Sequence, residues 1–289
     1  MTTDTFSLAG HSVRRVGFGA MQLPGPGVFG PPRDHDEAVR VLQRAVELGV
    51  NHIDTSQFYG PNVSNELIHE ALHPYSDDLV LVSKVGARRD DKGGWLPAQH
   101  PDQLRSAVHE NLQTLGVDRL PVVNLRVMPR AEMAEGDYCP LEDQLAAMQE
   151  LVDEGALEAF GASNVTAEQA ATAIEAGAVC IQNAYNLLHR DDDATLGLCR
   201  ERGVAYVPFF PLGSAFPDMP KVTENATVQA VAERRGVTPS QVGLAWLLDR
   251  ADNILLIPGT SSVAHLEENT AVGEVRLEPA DLQELNGLG

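Results

Sequence analysis

The sequence has few basic residues for its length. Its 289 residues include 21 Lys and Arg against 41 Asp and Glu, so the formal net charge is -20. A protein that binds nucleic acid through bulk electrostatics needs a basic surface, and this charge balance argues against such a partner. Aromatic residues are also scarce, at 5% of the chain, but the hydrophobic fraction of 43% is sufficient for a large globular core.

Long apolar runs and a secretion signal are absent as well. No stretch approaches the roughly 20 apolar residues of a membrane-spanning helix, and the opening MTTDTFSLAG lacks the basic and apolar regions of a signal peptide. The three cysteines, Cys139, Cys180 and Cys199, lack the spacing of a metal site, and we expect Cys180 to be buried in an apolar strand. We therefore expect a protein of the reducing cytoplasm with no metal and no obligate protein partner.

Short aliphatic runs alternate with longer amphipathic stretches along the chain. Eight runs are candidate strands: 13–21, 50–54, 79–84, 120–126, 157–163, 179–184, 204–209 and 253–259. The segments 34–49, 101–116, 140–155 and 166–177 have the apolar period of a helix and end in glycine, as helix C-termini favour. Thr166 and Thr238 occupy positions expected for N-caps.

This alternation predicts a (β/α)8 TIM barrel, a single domain over residues 1–289, with an N-terminal β-hairpin. We expect the hairpin to turn at Ala9–Gly10 and to close the bottom of the barrel. A doubly wound open sheet is the alternative, and it requires a glycine-rich loop between the first strand and a helix. GFGAMQLPGPGVFG is rich in glycine, but the helical period begins only at residue 34, so the pattern favours the barrel.

Polar side chains follow neighbouring predicted strands at the points where the strands end. Asp54 and Lys84 end adjacent strands, and Tyr59 follows Asp54 by five residues. Catalytic groups of barrels collect at these ends. A nearby cation favours a phenolate, so we expect Lys84 to lower the pKa of Tyr59 and Asp54 to keep Lys84 charged. Each residue alone has a structural alternative as a turn, solvated or packed residue, but together they predict a proton donor.

Seven segments resemble, in order along the chain, the signatures of the aldo-keto reductases. They are GFGAM, NHIDTSQFYG, LVLVSKVG, GASN, IQNAYN, FFPLG and IPGTSSVAHLEEN. MQLPGPGVFGPPRD, VVNLRVM and VPFFPLG further resemble the bacterial branch that includes pyridoxal reductases. The resemblance implies a (β/α)8 barrel that binds NADPH and reduces small-molecule aldehydes and ketones to alcohols, with pyridoxal as the leading substrate.

The resemblance also implies a role for each residue of the site. Asp54, Tyr59 and Lys84 match three members of the family's catalytic tetrad, with Tyr59 as the general acid. The implied cofactor-binding residues are Gly19, Ala20, Met21, Asp54, Ser163, Asn164, Gln182, Phe209, Pro211, Leu212, Gly213, Gly259, Thr260, Ser261, His265, Glu268 and Asn269. His265 stands where many relatives have arginine or glutamine, which leaves the strictness of NADPH over NADH open.

The fourth member of the family's tetrad is a histidine, and Arg126 takes its place in VVNLRVM. Arginine keeps its proton in proteins, so Arg126 cannot shuttle one. It can donate to the substrate carbonyl oxygen and stabilise the negative charge that develops there. The alternative is that Arg126 pairs with a nearby acid and positions a loop. Asn124, on the same strand face, is a candidate to orient Arg126.

The candidate residues for the substrate pocket are Met21, Phe29, Phe58, Trp95 and Phe216, although Phe29 and Trp95 are equally compatible with a structural role. Two other functions stay open. Loss of the tetrad histidine is compatible with an NADPH-binding sensor that has little turnover. A lysine at a strand end also permits a lyase in which Lys84 forms a Schiff base.

Overall fold

The computed structural model describes residues 4–213 and 219–288, and parallel strands form its centre. In chain order the strands are β1 (Thr5–Leu8), β2 (His11–Arg14), β3 (Phe18–Gly19), β4 (His52–Asp54), β5 (Val80–Val85), β6 (Ala87–Arg89), β7 (Trp95–Pro97), β8 (Leu120–Arg126), β9 (Leu157–Ser163), β10 (Cys180–Gln182) and β11 (Ala205–Tyr206). The pairs β1–β2 and β6–β7 are antiparallel hairpins, and the other seven strands form one parallel sheet.

Helices connect the parallel strands and cover the sheet. They are α1 (His35–Glu47), α2 (Val63–Leu72), α3 (Pro101–Leu115), α4 (Leu141–Asp153), α5 (Ala167–Glu175), α6 (Asp193–Arg202), α7 (Ala226–Arg235), α8 (Pro239–Arg250), α9 (Val263–Thr270) and α10 (Pro279–Asn286). Short 3-10 helices span Ala20–Gln22, Arg130–Glu132, Glu135–Asp137, Val222–Glu224 and Ala271–Glu274. Within the described ranges, no helix is both long and apolar enough to cross a membrane.

The helix ends form where the sequence predicted them. Thr166 accepts a hydrogen bond from the backbone N–H of Gln169 at 3.2 Å, and the Gln169 side chain accepts one from the Thr166 N–H at 3.0 Å. Thr238 and Gln241 form the same pair of bonds at the start of α8. These reciprocal bonds satisfy N–H groups that a helix start leaves without partners, and both predicted N-caps are confirmed.

The strand order of the parallel sheet is β3-β4-β5-β8-β9-β10-β11. Because the order follows the chain without reversal, it lacks the switch point of a doubly wound sheet. Both edges of the sheet continue into segment 253–259, where Leu256 pairs with Val16 and Ile254 pairs with Tyr206. The N–H of Gly17 donates to the Leu256 carbonyl at 2.8 Å. This arrangement fits the predicted (β/α)8 barrel.

The N-terminal hairpin packs against one face of this sheet. Its turn residues Ala9 and Gly10 both have positive φ, 51° and 86°, as in the type I′ turns that two-residue hairpins favour. Leu8 and Val13 are buried with residues from alternate positions of the parallel strands. Those residues, called the inner cluster below, are Val80, Val82, Val122, Cys180, Ala205, Val207, Leu255 and Ile257. The predicted hairpin and the burial of Cys180 are confirmed.

Three features of the strands differ from the sequence-based expectation. Segment 253–259, predicted as a strand, pairs with the edges of the sheet through isolated bridges and does not form a continuous strand. The predicted strand 13–21 is divided, because residues up to Arg14 pair with β1 in the hairpin, whereas Phe18–Gly19 pair with β4 in the parallel sheet. The hairpin β6–β7 was not predicted. Gly93, with φ of +80°, makes the turn between its strands possible.

Candidate active site

Asp54 and Lys84 form a buried ion pair at the carboxyl ends of neighbouring parallel strands, a region called the mouth below. Lys84 Nζ donates to Asp54 Oδ1 and to the carbonyl of Thr55, the latter at 3.2 Å. Asp54 is 3% exposed and Lys84 5%. Burial acts to lower the pKa of Lys84, but Asp54 and Tyr59 together outweigh it, so the pKa is raised and the ammonium is retained.

Tyr59 lies beside this pair, in the turn that follows β4. Its backbone N–H donates to the Ser56 carbonyl at 3.1 Å, and Lys84 Nζ lies 5.0 Å from the centroid of its ring. Burial raises the pKa of the phenol, although Lys84 and Arg126 act to lower it. The pKa of Tyr59 is thus shifted in the opposite direction from the one expected, because removal of the phenol from water outweighs the neighbouring cations.

Gln182 connects this pair to the residues predicted for the cofactor. It lies on β10, and its Nε2 donates to Asp54 Oδ2 at 2.9 Å. Ser163 Oγ donates to Gln182 Oε1 at 3.5 Å. Each oxygen of the Asp54 carboxylate thus accepts from a different side chain, Lys84 or Gln182, and this fixes the orientation of the carboxylate.

Arg126 ends β8 at the mouth and lies above aromatic surface. Its Cζ is 5.8 Å from the ring centroid of Trp95, and Nη1 contacts Met128 Sδ. Burial lowers the pKa of Arg126, and the neighbouring Tyr59 acts to raise it. In residues 4–213 and 219–288, no carboxylate lies within 4.0 Å of its guanidinium, so the alternative that Arg126 pairs with an acid is not supported.

Asn124 is directed toward a different partner from the one expected. Its Oδ1 accepts from Cys180 Sγ at 3.0 Å. Its Nδ2 is buried and makes no hydrogen bond within the described part of the chain. The hypothesis that Asn124 orients Arg126 is not supported, because the two side chains share no hydrogen bond there.

An aromatic group borders the mouth next to Tyr59. Phe58 meets the Tyr59 ring edge to face at 5.3 Å and the Trp95 ring at 5.5 Å. Met21 packs against the same group. Phe29 instead stacks on Arg89, at 5.4 Å from its Cζ. Of the predicted pocket residues, Met21, Phe58 and Trp95 are therefore together, and Phe216 lies outside the described residues.

A buried polar network behind the turn 54–59 escaped sequence reasoning. Thr55 Oγ1 donates to Asn65 Oδ1 at 2.8 Å, and Asn65 Nδ2 donates to Asn111 Oδ1 at 2.9 Å. Asn111 Nδ2 in turn donates to Gln57 Oε1 at 3.1 Å. The network holds Thr55 and Gln57 of the turn that carries Tyr59. The signal was two asparagines, Asn65 on α2 and Asn111 on α3, at buried helical positions where leucine is expected.

The residues predicted for the nicotinamide end surround one side of the mouth. Ser163 ends β9, and Asn164 follows with a φ of +59°. The N–H of Asn164 donates to the Gln182 carbonyl at 2.9 Å, and its Nδ2 to the Val127 carbonyl at 2.8 Å. Phe209 follows the end of β11 by three residues and is half-buried. This set of amides, a hydroxyl and an accessible ring has the chemistry that an aromatic carboxamide requires.

Close backbone approach characterises other predicted cofactor residues. A Cβ at Gly19 would lie 2.5 Å from the Ile257 carbonyl oxygen, and one at Gly259 2.7 Å from the Gly19 oxygen. Gly213 has φ of +90°. The preceding residues Pro211 and Leu212 are half-buried, Ala20 is buried, and Ser64 donates to the Ala20 carbonyl at 3.0 Å.

The predicted adenosine end lies at the start of α9. Gly259, Thr260 and Ser261 precede this helix, whereas His265, Glu268 and Asn269 lie on it. Thr260 Oγ1 accepts from the Ser262 N–H at 3.1 Å. Helix starts attract anions, and here Glu37 Oε1 of α1 already accepts from the Val263 N–H at 3.1 Å. Sequence reasoning missed Glu37, because it is more than 200 residues away in the chain.

No metal cluster is visible at the mouth or elsewhere in the described ranges. The structure places no group of three or more His, Cys, Asp or Glu side chains there that could hold an ion. The three cysteines are free thiols and all are buried.

Comparison with known proteins gives consistent matches. Residues 15–289 match the model of the Aldo/keto reductase family. The chain is 53% identical to the pyridoxine 4-dehydrogenase of Escherichia coli (strain K12), over 100% of this chain and 99% of that protein. A thermostable aldo-keto reductase solved with the inhibitor epalrestat has a TM-score of 0.83 at 29% identity, covering 99% of both chains. An aldo-keto reductase from Klebsiella pneumoniae solved with NADPH has the same fold, with a TM-score of 0.81 at 23% identity, covering 100% of this chain and 95% of that one.

Proposed function

Since the chain belongs to the aldo/keto reductase family, we propose that it is an NADPH-dependent oxidoreductase that reduces aldehydes and ketones to alcohols. The observation that carries this proposal is the buried Asp54–Lys84 ion pair beside Tyr59 at the mouth. It is the arrangement expected from the sequence, and two segments of the chain contribute to it: β4 with the turn that follows it, and β5.

In the proposed reaction Tyr59 donates a proton to the carbonyl oxygen of the substrate. Burial raises the pKa of Tyr59, so the phenol holds its proton until a substrate oxygen gains negative charge. The Lys84 ammonium stabilises the phenolate that remains. Asp54 and Gln182 hold Lys84 in place through the bonds described above.

Arg126 would assist at the same oxygen without transferring a proton. Its guanidinium lies at the mouth without an acidic partner within 4.0 Å in the described ranges. Its positive charge acts to lower the pKa of Tyr59. A fixed cation at the place where negative charge develops lowers the energy of the transition state. This role would replace part of what the family's tetrad histidine supplies.

The residues at the mouth fit a dinucleotide cofactor. Ser163 and Asn164 would hold the carboxamide of the nicotinamide, with Gln182 behind them, and Phe209 would contact its ring. The start of α9, with Thr260 and its neighbours, would take the phosphate of the adenosine end if Glu37 releases the Val263 N–H. When bound, NADPH would supply the hydride that reduces the carbonyl carbon.

The leading substrate is pyridoxal. This proposal is supported by the 53% identity to a pyridoxine 4-dehydrogenase, whose reaction at position 4 is the reverse of pyridoxal reduction. The aromatic group of Phe58 and Trp95 beside Tyr59 would accommodate a substrate ring.

The three free cysteines support a reducing compartment such as the cytoplasm.

We further infer that residues 1–289 form one catalytic domain with a complete (β/α)8 barrel. Segment 253–259 would be the eighth strand, since it pairs with both edges of the seven-stranded sheet. The barrel would place every proposed catalytic residue at one end, which is where barrel enzymes carry their sites.

The test is an NADPH-oxidation screen with pyridoxal, aromatic aldehydes, sugars and quinones, repeated with NADH. We expect absorbance loss at the NADPH band with pyridoxal and at least one other aldehyde. NADPH binding without turnover on any carbonyl would favour the sensor instead. Borohydride trapping of a substrate on Lys84 would favour the lyase, and either result would contradict the proposed function.

A further inference from the structure

The guanidinium of Arg126 carries donors that the described chain leaves largely unused. Arginine offers five N–H donors in a planar fork and stays charged. The side-chain partner of Arg126 within residues 4–213 and 219–288 is Met128 Sδ, a weak acceptor. A mostly buried guanidinium of this kind favours an anionic oxygen as its ligand, because charged hydrogen bonds are about twice as strong as neutral ones.

The other two cations of the mouth are already paired. Lys84 donates to the Asp54 carboxylate. Arg89 donates to three backbone carbonyls of the surrounding loops and lies 4.0 Å from the Trp95 ring centroid. Arg126 is therefore the cation of this group that is left for a ligand.

The surroundings of Arg126 favour an aromatic ligand. The guanidinium lies over Trp95 at 5.8 Å, and Phe58 contacts both Trp95 and Tyr59 edge to face. Tyr59 acts to raise the pKa of Arg126, and Arg126 acts to lower the pKa of Tyr59, so the guanidinium is close to the proposed proton donor. A ring placed against Trp95 would present one oxygen to Tyr59 and a neighbouring oxygen to Arg126.

We propose that Arg126 selects aromatic aldehydes that carry an ionised hydroxyl group on the ring carbon adjacent to the aldehyde-bearing carbon. The inference rests on the proposed function, because it places the reacting carbonyl at Tyr59. The carbonyl carbon receives the hydride, its oxygen receives the Tyr59 proton, and the phenolate remains unchanged on Arg126. Pyridoxal belongs to this class, since its 3-hydroxyl group neighbours its 4-aldehyde. A para-hydroxyl group points away from the carbonyl and cannot reach the same cation.

The experiment compares 2-hydroxybenzaldehyde with 4-hydroxybenzaldehyde at a pH where both are ionised, with benzaldehyde as the reference. The proteins are the wild type, Arg126→Lys, which retains the charge, and Arg126→Met, which retains neither charge nor fork. We expect the wild type to prefer the 2-hydroxy isomer by roughly tenfold or more in kcat/KM. Arg126→Met should reduce this ratio roughly tenfold or more, to near unity, because a hydrogen bond between charged groups is lost. Arg126→Lys should retain part of the preference.

The outcomes separate this inference from the proposed function. An equal loss for all three aldehydes in Arg126→Met would assign Arg126 only to the charge on the carbonyl oxygen and would overturn the inference. A wild-type protein that reduces none of the aldehydes would contradict the proposed function first. Thermal unfolding of each variant checks that it is folded, and Arg126→Gln takes the place of Arg126→Met if the latter does not fold.

Discussion

The two ends of strand β4 hold buried titratable groups that differ in charge, with an uncharged histidine at the start and an ion pair at the end. His52 begins the strand and Asp54 ends it, and the two side chains share one face because they are two residues apart. At the start, neither ring nitrogen of His52 has a hydrogen-bond partner within the described ranges, and burial lowers its pKa to about 4. At the end, the Asp54 carboxylate is held by Lys84 and Gln182.

The difference shows what preserves a charge in the interior of this protein. Both places are almost dry, since His52 is 2% and Lys84 5% exposed. A charge without a partner is expelled, and His52 is therefore neutral at pH 7. Lys84 keeps its proton because an acid faces it. The mouth therefore holds charged groups that can take part in catalysis, whereas the hairpin end contributes stability through the apolar inner cluster.

The largest expected effect follows removal of the proton donor at the mouth. Tyr59→Phe should lower kcat for aldehyde reduction by the order of 10²–10⁴, the usual contribution of a general acid. Affinity for NADPH, measured by fluorescence titration, should change little. Tyr138→Phe is the matched control, because Tyr138 is 46% exposed, and it should retain wild-type turnover. Near wild-type turnover in Tyr59→Phe would remove Tyr59 from the role of donor.

Lys84→Met would leave the buried Asp54 carboxylate without its cationic partner, with the hydrogen bond from Gln182 still in place. Loss of one member of a buried ion pair costs about 3–5 kcal/mol of unfolding free energy. Urea unfolding should show this loss. The double variant Asp54→Asn with Lys84→Met should recover part of it, because the uncompensated carboxylate is gone. A double variant no more stable than Lys84→Met alone would contradict the ion-pair account.

His52 should make stability depend on pH in a defined window. Its folded pKa of about 4 lies below the ordinary histidine value of 6.5, so its contribution is complete above pH 6.5 and is lost as the pH falls toward 4. The loss at pH 4 amounts to roughly 3 kcal/mol. His52→Leu should reduce this pH dependence in urea unfolding, whereas His109→Gln, at an exposed position of α3, should not. An equal slope in His52→Leu and the wild type would exclude His52 as its source.

The smallest expected effect on stability follows substitution of Gly161 on β9, which packs against Asn124 and Cys180 between the two ends of the parallel strands. A Cβ at Gly161 would lie 2.2 Å from Asn124 Oδ1 and 2.4 Å from Cys180 Sγ. Gly161→Ala should therefore lower the unfolding free energy by about 1–3 kcal/mol through overpacking. Gly197→Ala, in α6 with no atom within 4 Å of the added carbon, should instead stabilise by about 0.5–1 kcal/mol. A Gly161→Ala variant as stable as Gly197→Ala would show that the packing around Gly161 can expand.

The candidate site was predictable where it depended on strand ends. Asp54 and Lys84 end neighbouring parallel strands, so their contact followed from the strand pattern, and Tyr59 followed from its short distance along the chain. Partners from distant segments were not predictable. The bond from Gln182 to Asp54 joins residues 128 positions apart, and that from Val263 to Glu37 joins residues 226 apart. Their hydrogen bonds leave no local pattern in the sequence.

The alternation of apolar periods, the N-caps and the turn glycines were determined by the sequence itself, because hydrophobic spacing and capping act within a few residues. Only the tertiary structure decided whether each buried titratable group is charged or neutral. Tyr59 illustrates this, since burial raises its pKa although the neighbouring cations Lys84 and Arg126 act to lower it. The balance depends on how much water and which charges surround a group, and distant parts of the chain supply both.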